Sequence, residues 1–308
     1  MKKIVITGAT SMIGVAVIKE AIKHDVEVLA IVRRNSTRIS RLPKSDKVKI
    51  YECNLDEIAD ANINGNYDVF YHFAWSNTEK TYRDNPILQE NNIKYTLDAV
   101  KLAHNLGCYK FIGAGSQAEY GKIVGIIAED TSVNPIISYG IAKYCAGLLS
   151  KKLCNKYGII HIWGRIFSVY GINDNDGTML SYAIRSFING KEAKFSSGTQ
   201  IWNYLFEDDA GKIFYLLGRC VNNDKILCIA NKESKRLKEY IEEIINCCKS
   251  EYNLEPKYIF DKSLDKDAIN LNVCIDNLLQ EINYTPKIEF RKGIKIMISS
   301  YIKRNNRK

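Results

Sequence analysis

The sequence predicts an α/β fold, a doubly wound parallel sheet with a smaller C-terminal lobe. Short runs of β-branched residues alternate with helical patterns over about the first 170 residues, and these runs are apolar throughout. A glycine-containing turn follows the first run. Continuous apolar strands are typical of parallel sheets that are covered on both faces, and right-handed crossovers then produce the doubly wound arrangement.

The elements of the first part of the chain follow from these periodicities. Lys3–Thr7 is a compact apolar strand, and apolar residues at helical spacing predict a helix over Ile13–Lys23. The same reasoning predicts strands at Val28–Val32, Val48–Tyr51, Tyr67–Phe73, Lys110–Ala114 and Ile159–Phe167, and helices around Asn91–Asn105 and Ser138–Tyr157.

The pattern loosens after about Gly171. There we predict helices near Met179–Asn189, Asp209–Cys220, Leu237–Lys249 and Phe290–Lys303, and short strands near Ala193–Phe195 and Asn203–Phe206. We expect a first domain over residues 1–170 and, over residues 171–308, mainly a substrate-binding lobe with some segments returning to the first domain. Such a lobe closes over the carboxyl edge of the sheet, where ligands of open α/β sheets bind.

The composition is that of a folded protein, with 46% hydrophobic and 26% charged residues. Lys and Arg number 44 against 35 Asp and Glu, a net +9 that suits an anionic ligand as well as nucleic acid. Because the excess is spread along the chain, we expect no nucleic-acid partner. No run approaches the roughly 18 apolar residues of a membrane helix. We therefore expect a cytoplasmic protein without a membrane partner.

The nine cysteines contain no C-x-x-C motif and no Cys/His cluster at metal spacing. They are expected to be reduced and mostly buried, as in cytosolic proteins. The sequence predicts no metal site.

The segment Gly8-Ala9-Thr10-Ser11-Met12-Ile13-Gly14 joins the first strand to the first helix. A tight turn at this place lets backbone N–H groups and the helix N-terminus face a pyrophosphate, which is why glycines recur there. The turn indicates a dinucleotide site, and the alternative is an ordinary strand–helix connection.

The end of the second strand bears on the choice of dinucleotide. A site for NAD usually has an Asp or Glu here for the ribose hydroxyls. In this chain Val32 is followed by Arg33 and Arg34. A guanidinium fits a 2′-phosphate through paired charge-assisted bonds. The two arginines favour NADP, with NAD as the alternative cofactor and two solvated arginines as the competing interpretation.

Tyr139 and Lys143 are separated by one helical turn, so the phenol and the ammonium group share a face of the predicted helix. A Tyr becomes a usable proton donor and acceptor when a cation stabilises its phenolate. Ser116 follows a predicted strand at the carboxyl edge and can hydrogen-bond the same carbonyl oxygen. The three side chains are candidate catalytic residues.

These motifs together resemble the extended short-chain dehydrogenase/reductases, and more narrowly their nucleotide-sugar epimerase/dehydratase/reductase branch. The resemblance covers essentially the whole chain. It rests on five segments: Thr7–Gly14, Ser116-x-x-x-Tyr120-Gly121, Tyr139-x-x-x-Lys143, Arg165–Gly171 and Gln200–Asp209.

The resemblance implies an NADP-binding Rossmann domain over residues 1–170 and a Ser-Tyr-Lys catalytic set on Ser116, Tyr139 and Lys143. In several family members, the helices that here hold Asn92 and Tyr139 form a dimer, so a homodimer is expected. The implied cofactor contacts are Gly8, Ser11, Met12, Ile13, Gly14, Asn54, Leu55, Phe73, Ala74, Trp75, Asn92, Tyr139, Lys143 and Ile166.

The chain departs from the family pattern at several positions. Ser11 replaces the middle glycine of the turn, and Asn54, which can still bond an adenine amine, replaces an acid. Ser168 replaces an Asn. Trp202 replaces an Arg that often binds the substrate phosphate, so its indole is expected to stack on the nucleotide or to pack within the lobe. The residues expected to bind substrate are Ser116, Gln117, Ser168, Gln200 and Trp202.

Gln117 and Ala118 reduce the number of family reactions that this chain is expected to catalyse. In 4,6-dehydratases of this family an Asp-Glu pair occupies these positions, and neither residue found here can act as an acid or base. Reductases that also epimerise C3 and C5 have a Cys at the second position. Both activities are therefore disfavoured. Glu119, next along the chain, is expected to be a solvated or capping carboxylate.

A nucleoside-diphosphate-sugar 4-ketoreductase and a 4-epimerase remain. Arg33 after Val32 favours the reductase, since NADP is the usual reducing cofactor. The segment Gln200–Leu205 also resembles deoxysugar 4-reductases. The predicted function is NADPH-dependent reduction of the C4 keto group of a 4-keto-6-deoxy nucleoside-diphosphate sugar, and the alternative is an NAD-dependent 4-epimerase. A non-catalytic cofactor sensor is disfavoured because Tyr139 and Lys143 are both present.

Overall fold

The computed structural model describes residues 1–265 and 269–305, and within them a seven-stranded sheet forms the centre of the molecule. Its strands, in chain order, are β1 (Lys3–Thr7), β2 (Glu27–Val32), β3 (Val48–Glu52), β4 (Val69–His72), β5 (Lys110–Ser116), β6 (Ile160–Ile166) and β11 (Lys225–Ile229). The spatial order is β11-β6-β5-β4-β1-β2-β3, and every pairing is parallel. The predicted doubly wound fold is confirmed.

The helices of the described residues are α1 (Met12–Lys23), α2 (Pro86–Asn105), α3 (Ser138–Tyr157), α4 (Met179–Ile188), α5 (Glu207–Cys220), α6 (Leu237–Tyr252), α7 (Asp276–Ile282) and α8 (Phe290–Asn305). Short strands complete the chain: β7 (Ser168–Tyr170), β8 (Ala193–Phe195), β9 (Ile201–Trp202), β10 (Tyr204–Phe206), β12 (Lys235–Arg236) and β13 (Tyr258–Phe260). They pair as β7 with β10, β8 with β13 and β9 with β12.

Both faces of the sheet are covered. Ile4 and Ile6 of β1 pack in one apolar cluster with α1 and α5, whereas Val5 between them packs in a second cluster with α2 and α3. Successive side chains of a strand point to opposite faces, so a strand that is apolar throughout has to be covered twice. This is why the first strand reads as an uninterrupted apolar run.

The order of the strands creates the binding crevice. The chain runs outward from β1 through β2 to β3, then returns to place β4 on the other side of β1. Ligands of doubly wound sheets bind at the carboxyl ends of the strands where this reversal occurs. The turn after β1 and the segment after β4 therefore border one crevice.

A third apolar cluster, built mainly from residues beyond Gly171, surrounds α4, α6 and α8. Two elements of this part belong instead to the central sheet: α5 packs on α1, and β11 pairs with β6. The proposed division at residues 1–170 and 171–308 stays a prediction, and residues 266–268 and 306–308 of the second part lie outside the described residues.

Several boundaries differ from those expected. The second helix begins at Pro86, before the expected Asn91, because Asn85 caps it by accepting the Leu88 N–H at 3.1 Å. The expected strand Ile159–Phe167 is followed by a separate short strand, β7. Strand β11 was not predicted, since a five-residue run between two polar loops carries little periodicity.

No helix in the described parts of the chain combines the length and the apolar character needed to cross a bilayer.

Candidate active site

The turn after β1 is held in a conformation that requires glycine. Gly8 has φ +65°, and a Cβ there would lie 2.6 Å from the Ala74 backbone nitrogen. A Cβ on Gly14 would overlap the Gly8 carbonyl oxygen. The backbone of this turn thus lies against the backbone of the segment after β4, with no room for a side chain between them.

Ser11 caps α1 through its side chain, whose Oγ accepts the Gly14 N–H at 3.1 Å. Its hydroxyl is therefore directed to the helix. Ser11 completes the turn at the position where the family pattern has a glycine. The N–H groups of Met12 and Ile13 belong to the first helical turn and have no intrahelical acceptor. A helix start of this kind, beside a left-handed glycine, fits the pyrophosphate of a dinucleotide.

The two arginines after β2 have different environments. Arg34 forms an ion pair with Glu57 at 2.7 Å, and its backbone N–H donates to Asn54 Oδ1 at 3.3 Å. Arg33 is exposed and forms no ion pair with any residue that the structure describes. Asn54 also begins the turn Leu55–Asp60 in a capping box with Glu57. Arg33 is thus the guanidinium available to a ligand at this end of the sheet.

The segment after β4 is fixed by α2. Asn92 is buried, and its Oδ1 accepts the Ser76 N–H at 2.7 Å while its Nδ2 donates to the Ser76 carbonyl at 3.1 Å. Trp75 Nε1 donates to Gln89 Oε1 at 2.9 Å. Phe73, Ala74 and Trp75 consequently have defined positions beside the turn at Gly8. Leu55 and Ile166, two other expected cofactor contacts, are half-buried.

Ser116 ends β5 at the carboxyl edge of the sheet. It is 7% exposed, and its Oγ accepts the Ala118 N–H at 3.2 Å, capping the short turn Gln117–Glu119. Tyr139 lies in the first turn of α3. Burial raises the pKa of Tyr139, while the charge of Arg83 and the Ser116 hydroxyl lower it. The structure therefore brings Ser116 and Tyr139 together, as the sequence predicted them to be.

Lys143 follows Tyr139 by one turn and is 3% exposed. Its Nζ donates to the Ala114 carbonyl at 2.6 Å and lies 3.6 Å from the centroid of the Trp75 ring. The Tyr139 ring centroid is farther away, at 5.8 Å. Burial lowers the pKa of Lys143 to about 7. Its ammonium group is thus held between the end of β5 and an aromatic face.

Arg83 is a site residue that the sequence did not reveal. Its guanidinium carbon lies 4.2 Å from the centroid of the Tyr139 ring. It belongs to the connection between β4 and α2, which carries no recognisable motif. Only the packing of this connection against α3 brings the two side chains together.

Glu119 is buried and forms a capping box with Ser116, so of the two expected environments, solvated or capping, the structure shows the capping one. Its Oε1 accepts the Ser116 N–H at 2.8 Å and Trp163 Nε1 at 3.0 Å, and its Oε2 accepts Arg165 Nε at 2.8 Å. The carboxylate therefore joins the end of β5, at Ser116, to β6.

The residues expected to bind substrate lie at the end of β5, in the turn after it, in β7 and in or just before β9. Gln117 Oε1 and Trp202 Nε1 are buried and have no hydrogen-bond partner among the described residues. Trp202 packs against two apolar clusters, the one that includes α1 and α5 and the one around α4, α6 and α8. It also pairs with Lys235 across β9 and β12. Ser168 pairs with Tyr204, and the Gln200 carbonyl accepts the Leu237 N–H at 2.9 Å.

A cavity of about 250 Å³ lies within the lobe. It is lined by Gly177, Met179, Tyr182, Lys194, Phe195, Ser196, Leu237 and Ile241. Two aromatic rings and a lysine at its wall could contact a flat, anionic ligand.

Comparison with known proteins identifies the family. The model of the NAD dependent epimerase/dehydratase family matches residues 4–230. This chain belongs to that family. The resemblance inferred from the motifs is thereby confirmed, and the chain is an enzyme of the epimerase/dehydratase family with a nicotinamide cofactor.

Relatives in this family differ in their named reactions. The chain is 22% identical over 313 residues to a protein of Methanocaldococcus jannaschii provisionally named UDP-glucose 4-epimerase, with 99% of each covered. It is 24% identical over 326 residues to the dTDP-4-dehydro-6-deoxyglucose reductase of Escherichia coli, with 96% of each covered.

Among solved structures, the fold is similar to that of the UDP-N-acetylglucosamine 4-epimerase from Methanobrevibacter ruminantium, in complex with UDP-N-acetylmuramic acid. The TM-score is 0.86, the sequence identity is 21%, and the match covers 98% of this chain and 99% of that one. The shared architecture therefore extends over nearly the whole of both chains.

Proposed function

We propose that this enzyme reduces the C4 keto group of a 4-keto-6-deoxy nucleoside-diphosphate sugar with NADPH. The observation that carries the proposal is the grouping of buried Ser116 and Lys143 with half-buried Tyr139 at the carboxyl end of β5. A phenol in such a place can give a proton to a substrate oxygen, and a neighbouring hydroxyl can bind the same oxygen.

Each chemical role follows from the environment of the side chain. Tyr139 donates its phenolic proton to the C4 oxygen, so one O–H bond breaks on the enzyme while another forms on the product alcohol. Ser116 holds that oxygen, since its backbone is fixed by the bond to Glu119. The ammonium form of Lys143, which is held by the Ala114 carbonyl, contributes positive charge on the same side of the site. A bound nicotinamide supplies the hydride for C4.

The residues near the carboxyl ends of β1, β2 and β4 would hold the cofactor. The turn at Gly8 and the N–H groups of Met12 and Ile13 suit its pyrophosphate. The free guanidinium of Arg33, with buried Val32 before it in place of an acid, suits the 2′-phosphate of NADP. A dehydratase requires a further acid and base at the positions of Gln117 and Ala118, and neither of these side chains can act as one.

The lobe would hold the rest of the substrate. The cavity beside Tyr182 and Phe195 has room for a nucleobase, and the unpartnered Trp202 Nε1 and Gln117 Oε1 can hydrogen-bond the diphosphate and the sugar. The E. coli relative is named as a reductase of a substrate of this class.

An NAD-dependent 4-epimerase is the second candidate. It is favoured by the relatives and solved structures named as 4-epimerases, which match both lobes. The two reactions share Tyr139 and Ser116 and differ in whether the reduced cofactor is consumed.

The decisive assay follows NADPH and NADH absorbance with dTDP-, CDP-, GDP- and UDP-linked 4-keto-6-deoxy sugars. We expect stoichiometric loss of NADPH with one of them. Conversion of UDP-glucose or UDP-N-acetylglucosamine to its C4 epimer, without net NADPH loss on any keto sugar, would establish the epimerase instead. Tyr139→Phe should abolish turnover and leave NADPH binding intact, whereas Tyr144→Phe on the same helix should retain activity.

We also propose a homodimer formed through α2 and α3. Ile87 on α2 is 69% exposed, and Ile141, Leu148 and Leu149 on α3 are between 43% and 52% exposed. An exposed apolar surface of this kind on two adjacent helices suits burial against a second copy. Sedimentation of the native chain and of the Ile141→Glu/Leu148→Glu variant tests it: the variant should sediment as a monomer.

We propose, finally, that the reaction takes place in the cytoplasm. All nine cysteines are free, as is usual for proteins of that compartment.

A further inference from the structure

Arg83 is fastened to the catalytic helix by its backbone. The Tyr139 N–H donates to the Arg83 carbonyl at 2.9 Å. The next residue, Asp84, accepts both the Ser138 N–H at 3.0 Å and the Ser138 hydroxyl at 3.1 Å. These bonds set the connection before α2 against the first turn of α3. The stacking of the guanidinium on the Tyr139 ring, at 4.2 Å, is therefore imposed by the fold.

The charge of Arg83 is not used elsewhere in the described chain. Its side chain is half-buried and forms no ion pair with a described carboxylate. Its Nε is buried without a hydrogen-bond partner among the described residues. A half-buried guanidinium normally stacks on a ring or binds a carboxylate. Here the Tyr139 ring is the partner that the packing provides.

The other charged groups that face Tyr139 are committed to different contacts. Lys143 is bound to the Ala114 carbonyl and lies on the Trp75 ring. Glu119, from the turn after β5, is paired with Arg165. Of the cations facing the phenol, Arg83 stacks closer to the ring than Lys143 does, at 4.2 Å against 5.8 Å.

We propose that Arg83 is a positioning residue for the proton transfer, whose positive charge over the Tyr139 ring stabilises the phenolate left when the proton moves to substrate. This inference rests on the proposed function, in which Tyr139 is the proton donor. The O–H bond of the phenol breaks, the O–H bond of the product alcohol forms, and the guanidinium gives up no proton in this step. The attraction between a cation and the ring also holds the phenol in one orientation.

The electrostatic influence of Arg83 has the required direction. Its charge lowers the pKa of Tyr139, against the opposing effects of burial and of the Glu119 carboxylate. It also lowers the pKa of Lys143. Arg83 therefore shifts both titratable members of the catalytic set toward their deprotonated forms.

The direct test needs no substrate. Phenolate absorbance is titrated in the full-length protein, and the Tyr139 signal is obtained by subtracting the same titration of Tyr139→Phe, in the native and in the Arg83→Met background. We expect Arg83→Met to raise the pKa of Tyr139 by about one unit, a tenfold fall in phenolate at a given pH below it. Arg83→Lys, which keeps the charge, should retain most of the native value.

Arg219→Met is the matched control. It removes one positive charge at the last turn of α5, next to Gly218, which lies at the opposite, amino-terminal edge of the sheet against Tyr71. It should leave the Tyr139 titration unchanged. An unchanged Tyr139 titration in Arg83→Met would overturn the proposal, and so would equal shifts in Arg83→Lys and Arg83→Met. If Arg83→Met does not fold, Arg83→Gln takes its place with the same expectation.

A second measurement uses turnover with NADPH and the 4-keto-6-deoxy nucleotide sugar that the assay above identifies as substrate. In the reductive direction Tyr139 has to be protonated, so the alkaline limb of kcat/KM should move to higher pH in Arg83→Met. A purely structural role would lower the rate without moving the limb, and this result would count against the proposal. If the native enzyme consumes NADPH with none of the four keto sugars, the proposed function fails, while the titration still decides the role of Arg83.

Discussion

Glu119 holds Ser116, the proposed oxygen-binding residue, in place. Its carboxylate binds the backbone of Ser116 on one side and the side chains of Trp163 and Arg165 on the other. The ion pair with Arg165 is buried, with side chains 1% and 4% exposed. A buried ion pair adds little net stability when intact, yet the loss of one partner is costly because it leaves the other charge uncompensated.

Replacing Glu119 with Gln should therefore destabilise the protein by about 3 kcal/mol, since the Arg165 charge stays buried without its counter-ion. Urea unfolding monitored by fluorescence measures the change. Glu57→Gln is the matched control, because the Arg34–Glu57 pair is exposed and should cost at most about 1 kcal/mol. Similar losses in the two variants would show that the buried pair has no special role.

The connection after β7 is the element most closely tied to the lobe. Glu207 at the start of α5 accepts the Ile172 N–H at 3.2 Å. Arg304 donates to the Ile172 carbonyl at 2.9 Å, and Arg41 to the Asn173 carbonyl at 3.2 Å. The connection, which leads to the wall of the cavity at Gly177, is thus clamped from α5, α8 and the segment after β2.

The clamp predicts a pH dependence of stability. Burial raises the pKa of Glu207 to about 7 from 4.5, so the folded state binds its proton more tightly than the unfolded state. Stability contributed by this proton is present below pH 4.5 and is lost as the pH rises toward 7. Glu207→Gln removes this loss. The Tm of the variant relative to the native chain should therefore be higher at pH 8 than at pH 5.

Asp174 provides the control for this measurement. Burial raises the pKa of Asp174 to about 6, so its ionisation also lowers the stability of the protein as the pH rises. Glu207→Gln does not remove this contribution. The variant should therefore reduce the fall of Tm with pH without abolishing it. A difference in Tm that is the same at pH 5 and pH 8 would contradict the assignment to Glu207.

At the scale of the whole molecule, Asp209 ties the C-terminal part of the chain to the central sheet. It is 2% exposed and accepts the Tyr284 hydroxyl at 2.5 Å and the N–H groups of Lys287 and Ile288 at 3.0 and 2.8 Å. The segment between α7 and α8 is thereby attached to α5, which packs on α1. One carboxylate thus links the segment between α7 and α8 to the helices that cover the central sheet.

Asp209→Ala should destabilise the protein by about 3 kcal/mol, because two partly buried N–H groups and a hydroxyl lose a charged acceptor together. The adjacent Asp208→Ala, an exposed carboxylate in the same helical turn, should cost under about 1 kcal/mol. Chemical denaturation of the two variants measures the difference. Equal stability would show that the segment between α7 and α8 is held by other contacts.

The features predicted from sequence were those encoded by neighbours in the chain. Tyr139 and Lys143 are one helical turn apart, and Gly8 and Gly14 flank one turn, so the spacing itself indicates a shared site. The strand β11 and the pairing of Arg34 with Glu57 could not be predicted in this way. Both depend on which segments the sheet order brings side by side.

The sequence by itself determined the fold class, the family and the residue types that carry the proposed chemistry, because apolar periodicity and the glycine, serine, tyrosine and lysine motifs are local patterns. The tertiary structure alone decided which charges surround them. It placed Arg83 on the Tyr139 ring, Lys143 on Trp75 and the Ala114 carbonyl, and Glu119 in a buried pair. The reason is physical: electrostatic interactions depend on distance in space, and distant segments meet only when the chain has folded.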